Sequence, residues 1–130
     1  LEGVSQYITK EALVYTLDEL KMLIQNSNSK LFLSYVDEAF DKDPEVCFGE
    51  GYPGAVKRAN LIKSLSEKVG EPWVSFYSEA EMGDMLSQLG FVIQKNVTLE
   101  DLNSLYFGPV DRTLPEDQIL KLEYLLIASN

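Results

Sequence analysis

Few residues in this chain are equipped for chemistry, and histidine is not among them: the 130 residues contain none. That removes Ser-His and Cys-His nucleophilic pairs, the usual general base near neutral pH, and the most common metal ligand. A single cysteine, Cys47, permits no internal disulfide and points to a reducing, cytoplasmic compartment. It lies among Asp43, Glu45 and Glu50, whose charges raise a thiol pKa, so it reads as a bystander. Asp37, Glu38, Asp41, Asp43 and Glu45 offer oxygens for a hard cation, but they lack the EF-hand spacing and its glycine. They read as a solvated acidic loop, with a metal-dependent hydrolase as the outlying rival.

Residues Gly49 to Gly54 spell a literal GxGxxG ahead of a helix. A dinucleotide turn also needs a strand directly before it, so that glycine amides and the helix start converge on a phosphate. Only Val46, Cys47 and Phe48 are available for that strand, and Glu50 sets a carboxylate near the phosphates, so the match reads as a flexible loop. More promising is Leu1 to Thr9. If a strand ends there, Glu2 and Gly3 lie at its carboxyl end, where ligands bind in open α/β sheets. Trp73, Phe76 and Tyr77 form an aromatic cluster suited to packing or to a substrate wall.

The elements that position these groups follow from periodicity. Leu13, Leu17, Leu20 and Ile24 recur at helical spacing after a Thr9 cap. Asn26 to Ser29 ends that helix, and 31–36 (LFLSYV) reads as a buried strand. Charges, prolines and glycines over 37–54 predict a long loop of the kind that forms lids. A helix over 55–69 presents Leu61, Ile62, Leu65 and Val69 on one face. Residues 73–77 are extended. Ser78 and Glu81 match a capping box for a helix ending at Gly90. Then come a strand over 91–97, a short helix from Thr98 to about Tyr106, a linker, and a last strand over 122–128. The fold class is α/β, with a sheet too small for a complete doubly wound domain.

With 45% hydrophobic and 25% charged residues the chain is globular in composition, and its length suits one domain. The net charge of −10 repels phosphate backbones and anionic lipid, so neither nucleic acid nor membrane is an expected partner. No apolar run approaches the roughly 18 residues of a membrane span. A chain opening on Leu1 rather than methionine is expected to be a piece of a longer one.

Taken in order, EGVSQYIT, LFLSYVD, GEPWVSFYSEAEMGDMLSQLGF, DLNSLYF and LEYLLIAS resemble the leucine carboxyl methyltransferase family of S-adenosylmethionine-dependent O-methyltransferases. The resemblance spans the chain. It implies the C-terminal part of a Rossmann-like methyltransferase sheet, with an antiparallel last strand inserted between 31–36 and 91–97. Glu2 would close the strand before 31–36. The family's glycine-rich loop, ribose-binding acid and adenine-side aspartate have no counterpart here. By the same resemblance Glu2, Gly3 and Tyr7 are expected on the cofactor side, near the methionine end of S-adenosyl-L-methionine. Tyr35, Trp73 and Tyr77 are expected on the substrate side, against a small-molecule or protein carboxylate acceptor.

Methyl transfer to an ionised carboxylate needs alignment and exclusion of water rather than a base, so a chain without histidine is compatible with it. The expectations are weak cofactor binding by these residues alone and self-association through an exposed sheet edge. The competing reading is a non-catalytic acidic α/β interaction module.

Overall fold

A computed structural model describes residues 1–24, 27–49 and 52–130. Asn26 in the first helix-breaking run, and Glu50 and Gly51 in the GxGxxG match, lie outside the described residues. The chain is mixed α/β. Helix α1 (Lys10–Ile24) leads into strand β1 (Lys30–Val36), followed by α2 (Ala39–Lys42), α3 (Pro44–Phe48), α4 (Ala55–Lys68) and α5 (Glu79–Gln88). Strand β2 (Val92–Thr98), α6 (Leu99–Leu102), a π turn (Asn103–Phe107) and strand β3 (Glu123–Ser129) complete it.

The three strands form one sheet in the order β1-β3-β2. β3 runs antiparallel to both neighbours, so β1 and β2 point the same way. Leu33 faces Leu126 and Tyr35 faces Tyr124 across the first ladder. Side chains alternate across a strand, so Leu31, Leu33 and Tyr35 share one face with Leu126 and Ala128. Leu13 and Leu17 of α1 and Met82 and Leu86 of α5 cover that face. The helical spacing of these residues places them on one stripe of each helix, and burying a stripe against a sheet is what stabilises both. Thr9 Oγ1 accepts from the Ala12 amide at 3.2 Å, the expected cap. Ser78 Oγ accepts from the Glu81 amide, but the Glu81 carboxylate does not return the bond; it takes the Lys10 ammonium at 2.6 Å instead. Tertiary pairing has displaced half of the capping box.

A second cluster gathers Val36, Phe40, Cys47, Phe48, Ala55 and Ala59 beyond the end of β1. It corrects the reading of 37–54 as a long loop or lid, because 39–48 forms two short helices with a buried side. The Asp37 carboxylate accepts from the Ala39 amide at 2.8 Å to open α2, and Pro44 starts α3 with φ already set. The charged residues that suggested a loop lie mostly on the outer side of these turns, while Phe40, Cys47 and Phe48 point inward. Helix α4 is also turned from its expected face. It buries Ala55 and Ala59, packs Ile62 of the expected face partly against the same cluster, and leaves Leu61, Leu65 and Val69 more than half exposed. Two alanines let the helix approach the aromatic cluster closely, which leucines at those positions could not do.

Candidate functional site

The N-terminal residues are held against the outer edge of β1. The Leu1 amino group donates to the Phe32 carbonyl at 2.9 Å, and the Ser34 amide donates to the Leu1 carbonyl at 3.2 Å. One residue bonded in this way to two residues two apart is the unit of a parallel ladder, here centred opposite Leu33. Leu1 therefore lies beside β1 as a parallel strand residue does.

The chain then turns off the sheet. Gly3 adopts φ +65°, a left-handed conformation that glycine takes without a Cβ clash. Its amide donates to Ser34 Oγ at 2.9 Å, and the buried Ser5 Oγ donates to the Ser34 carbonyl at 2.8 Å. The Gln6 carbonyl accepts from the Val74 amide at 2.7 Å, and Ser75 Oγ donates to the Ile8 carbonyl at 2.6 Å. Residues 1–8 are thus stapled between β1 and the 73–77 segment. The Gln6 side chain is buried, and its Oε1 and the Trp73 indole Nε1 have no hydrogen-bond partner among the described residues.

Glu2 and Gly3 sit exposed at this corner, with Gly3 tied to Ser34 of β1. Tyr7 is partly exposed in the short 3-10 turn Ser5–Tyr7. The expected companions are elsewhere. Tyr35 and Tyr77 are fully buried in the first core, edge to face with centroids 6.3 Å apart, and Tyr124 stacks on Tyr35 at 5.0 Å. Neither is open to solvent, whereas both are expected on the substrate side. The reason is the pleat: Tyr35 falls in step with Leu31 and Leu33, on the helix-covered face. Trp73 packs in the second cluster, 5.3 Å from Phe40 and 6.5 Å from Phe76.

The interior polar groups explain the tyrosines further. Asn96 Nδ2 donates to the Tyr35 hydroxyl at 2.9 Å and to Glu79 Oε1 at 3.0 Å. Burial raises both the Tyr35 and Tyr77 hydroxyls above the usual tyrosine range, Tyr35 by a wide margin. Tyr124 is pushed up to about 12, by burial first and then by the Asp37 carboxylate. Such hydroxyls donate or accept hydrogen bonds but do not serve as bases near neutral pH. Sequence reading passed over Ser34, Ser5 and Gln6. The only signal was a lone serine inside the apolar LFLSYV.

The remaining sequence candidates resolve simply. Burial raises the Cys47 thiol to about 12, with Asp37 and Asp43 adding to it, so it is inert as a nucleophile. The acids of 37–45 are engaged in part: Asp37 caps α2, Glu38 pairs with Lys42, and Asp41 meets Lys63 at 2.8 Å. Among the described residues no group of three or more potential ligands could hold a metal ion. Helix α3, not a strand, precedes Gly49, so a dinucleotide turn lacks its first element. No helix is long and apolar enough to cross a membrane among the described residues. Compared with known proteins, the chain matches no family model and no curated protein.

Proposed function

We propose that these residues form the C-terminal portion of an S-adenosylmethionine-dependent O-methyltransferase of the leucine carboxyl methyltransferase type. The methyl acceptor is a carboxylate or hydroxyl. The observation that supports this best is the sheet edge. β1 and β2 run parallel with β3 reversed between them, and Leu1 lies parallel on the outer side of β1. That is the order of the trailing strands in the fold that the resemblance implies.

The residues at the corner fit the methionine end of the cofactor in kind. Glu2 is an exposed acceptor for an ammonium group, and Gly3 has open space where a Cβ would stand. When bound, the cofactor supplies an electrophilic methyl group on sulfur. The chain's own part is to orient and to exclude water: the Ser34 and Ser5 bonds fix the turn that presents Glu2. Trp73 and its aromatic neighbours form an apolar wall beside the stapled segment. Tyr35 and Tyr77 support the corner from within the core.

The burial of both tyrosines favours a second reading, an acidic interaction module without catalysis, and one experiment separates the two. The coding sequence upstream of Leu1 is read, and S-adenosylmethionine is titrated calorimetrically into the protein it encodes and into these 130 residues. A preceding strand with a glycine-rich turn, saturable binding to the longer chain and little binding to the short one support the methyltransferase. A start codon at Leu1, or a longer chain that does not bind, rejects it.

A further inference from the structure

The stretch from α6 to residue 120 lines two adjoining open clefts. The first, of about 460 Å³, is walled chiefly by Leu99, Leu102, Tyr106, Phe107, Leu114 and Ile119. The second, of about 330 Å³, holds Arg58, Tyr52 and Asp117. Gln118, Ile119 and Leu120 line both, so an apolar space adjoins a charged one along these three residues.

The apolar space is held open by polar ties rather than by contents. The Asn103 side chain donates to the Leu114 carbonyl at 3.1 Å and accepts from the Leu114 amide at 2.9 Å. Lys121 reaches Glu100 on α6 at 3.0 Å and Glu116 at 2.8 Å. The π turn at Asn103–Phe107 widens the helix wall between these ties, a geometry that often marks a binding site. A preformed apolar pocket with a few convergent polar groups is the usual form of a small-molecule site.

The charged space narrows the ligand class. The Arg58 guanidinium donates to the Tyr52 hydroxyl and lies 5.9 Å from that ring, which fixes its planar fork. Asp117 lines the same cavity, yet no ion pair joins it to Arg58. Opposite charges facing one space without closing on each other suit a ligand that carries both. A carboxylate matches the guanidinium fork, and an ammonium matches Asp117. A purely anionic amphiphile meets both Asp117 and the net charge of −10; a zwitterion does not pay that repulsion.

We propose that this pair of cavities binds an amphipathic zwitterion, specifically an α-amino acid with a long apolar side chain. Its carboxylate lies at Arg58, its ammonium at Asp117 and its side chain in the cleft beneath Leu102.

The test is calorimetric and NMR titration of the 130-residue chain with L-2-aminooctanoic acid, octanoic acid and octylamine as separate probes. The amino acid is expected to bind at least tenfold tighter than either single-charge probe. Arg58→Gln and Asp117→Asn, both at exposed positions, are each expected to erase that advantage without changing the unfolding midpoint. Leu102→Trp, which fills the cleft, is expected to weaken all three probes. Equal binding of the three probes, no saturable binding, or an advantage that survives either charge substitution overturns the proposal.

Discussion

The two outer strands of the sheet are built differently. On the β1 side, Phe32 and Ser34 direct backbone groups outward, Leu1 already takes two of them, and the Phe32 side chain stays 41% exposed. On the β2 side the ladder to β3 slips between Ile93 and Lys95, leaving Gln94 as an extra residue. A bulge and a lysine on an outer strand are devices that stop another strand from adding. Val92 is 62% exposed there. One edge carries Leu1 in parallel-type bonds, and the other carries a bulge. The lesson is that an edge's hydrogen-bonding pattern and bulges carry more information about continuation than its hydrophobicity does.

That contrast can be attacked by substitution. Leu33→Ala empties a fully buried position on β1 and is expected to cost about 2–5 kcal/mol, whereas Val92→Ala on β2 should stay within about 0.5 kcal/mol. Urea unfolding of the two variants checks it, and equal losses would mean that both outer strands are core strands.

Alkaline titration probes the interior behind β1. Unfolded tyrosine ionises near 10, while Tyr35, Tyr77 and Tyr124 stay protonated to higher pH in the fold. The unfolded chain therefore loses these protons first. The stability they lend is complete below pH about 10 and falls as pH rises towards and through the folded values. Circular dichroism and phenolate absorbance should change together. Phenolate appearing from Tyr35 while the fold is intact would return that residue to the ligand surface.

Ser34→Ala removes the acceptor of the Gly3 amide in a buried setting and should cost about 1–3 kcal/mol. Hydrogen exchange at Gly3 is expected to accelerate with it; unchanged exchange would detach the N-terminal turn from β1. At the exit of β2, Thr98→Ala removes a reciprocal cap with Asp101 and is expected to cost about 1 kcal/mol, read from thermal unfolding. Phe32→Lys should change stability least, yet abolish the self-association expected of the β1 edge in size exclusion. Gln94→Lys on the other edge should leave association as it was, and the reverse pattern would exchange the roles of the two edges.

The strands were legible because LFLSYV, FVIQKNV and LEYLLIAS are short apolar runs between polar breaks, and α1 and α5 because their leucines and methionines repeat at helical spacing. The α2–α3 turn was not, since four- and five-residue helices carry too little periodicity to outweigh their charges. Helix α4 misled for a different reason. Leu61 and Leu65 face outward while Ile62 packs inward, and which stripe of a helix is buried depends on the neighbour's shape. At the corner site, Glu2 and Gly3 were readable as a carboxylate and a flexible residue before a helix. Their anchor on Ser34 was not, because it joins residues 31 positions apart.

By itself the sequence determined composition-level properties and local elements: an acidic chain without histidine, one cysteine, the long helices and the strands. Those depend on residue type and on spacing within a few positions. Only the tertiary structure decided that Tyr35 and Tyr77 are enclosed, that Leu1 lies along β1, and that Arg58 and Asp117 face one cavity. Each of these is a relation between residues far apart in the chain, set by which faces pack together, and no local pattern encodes it.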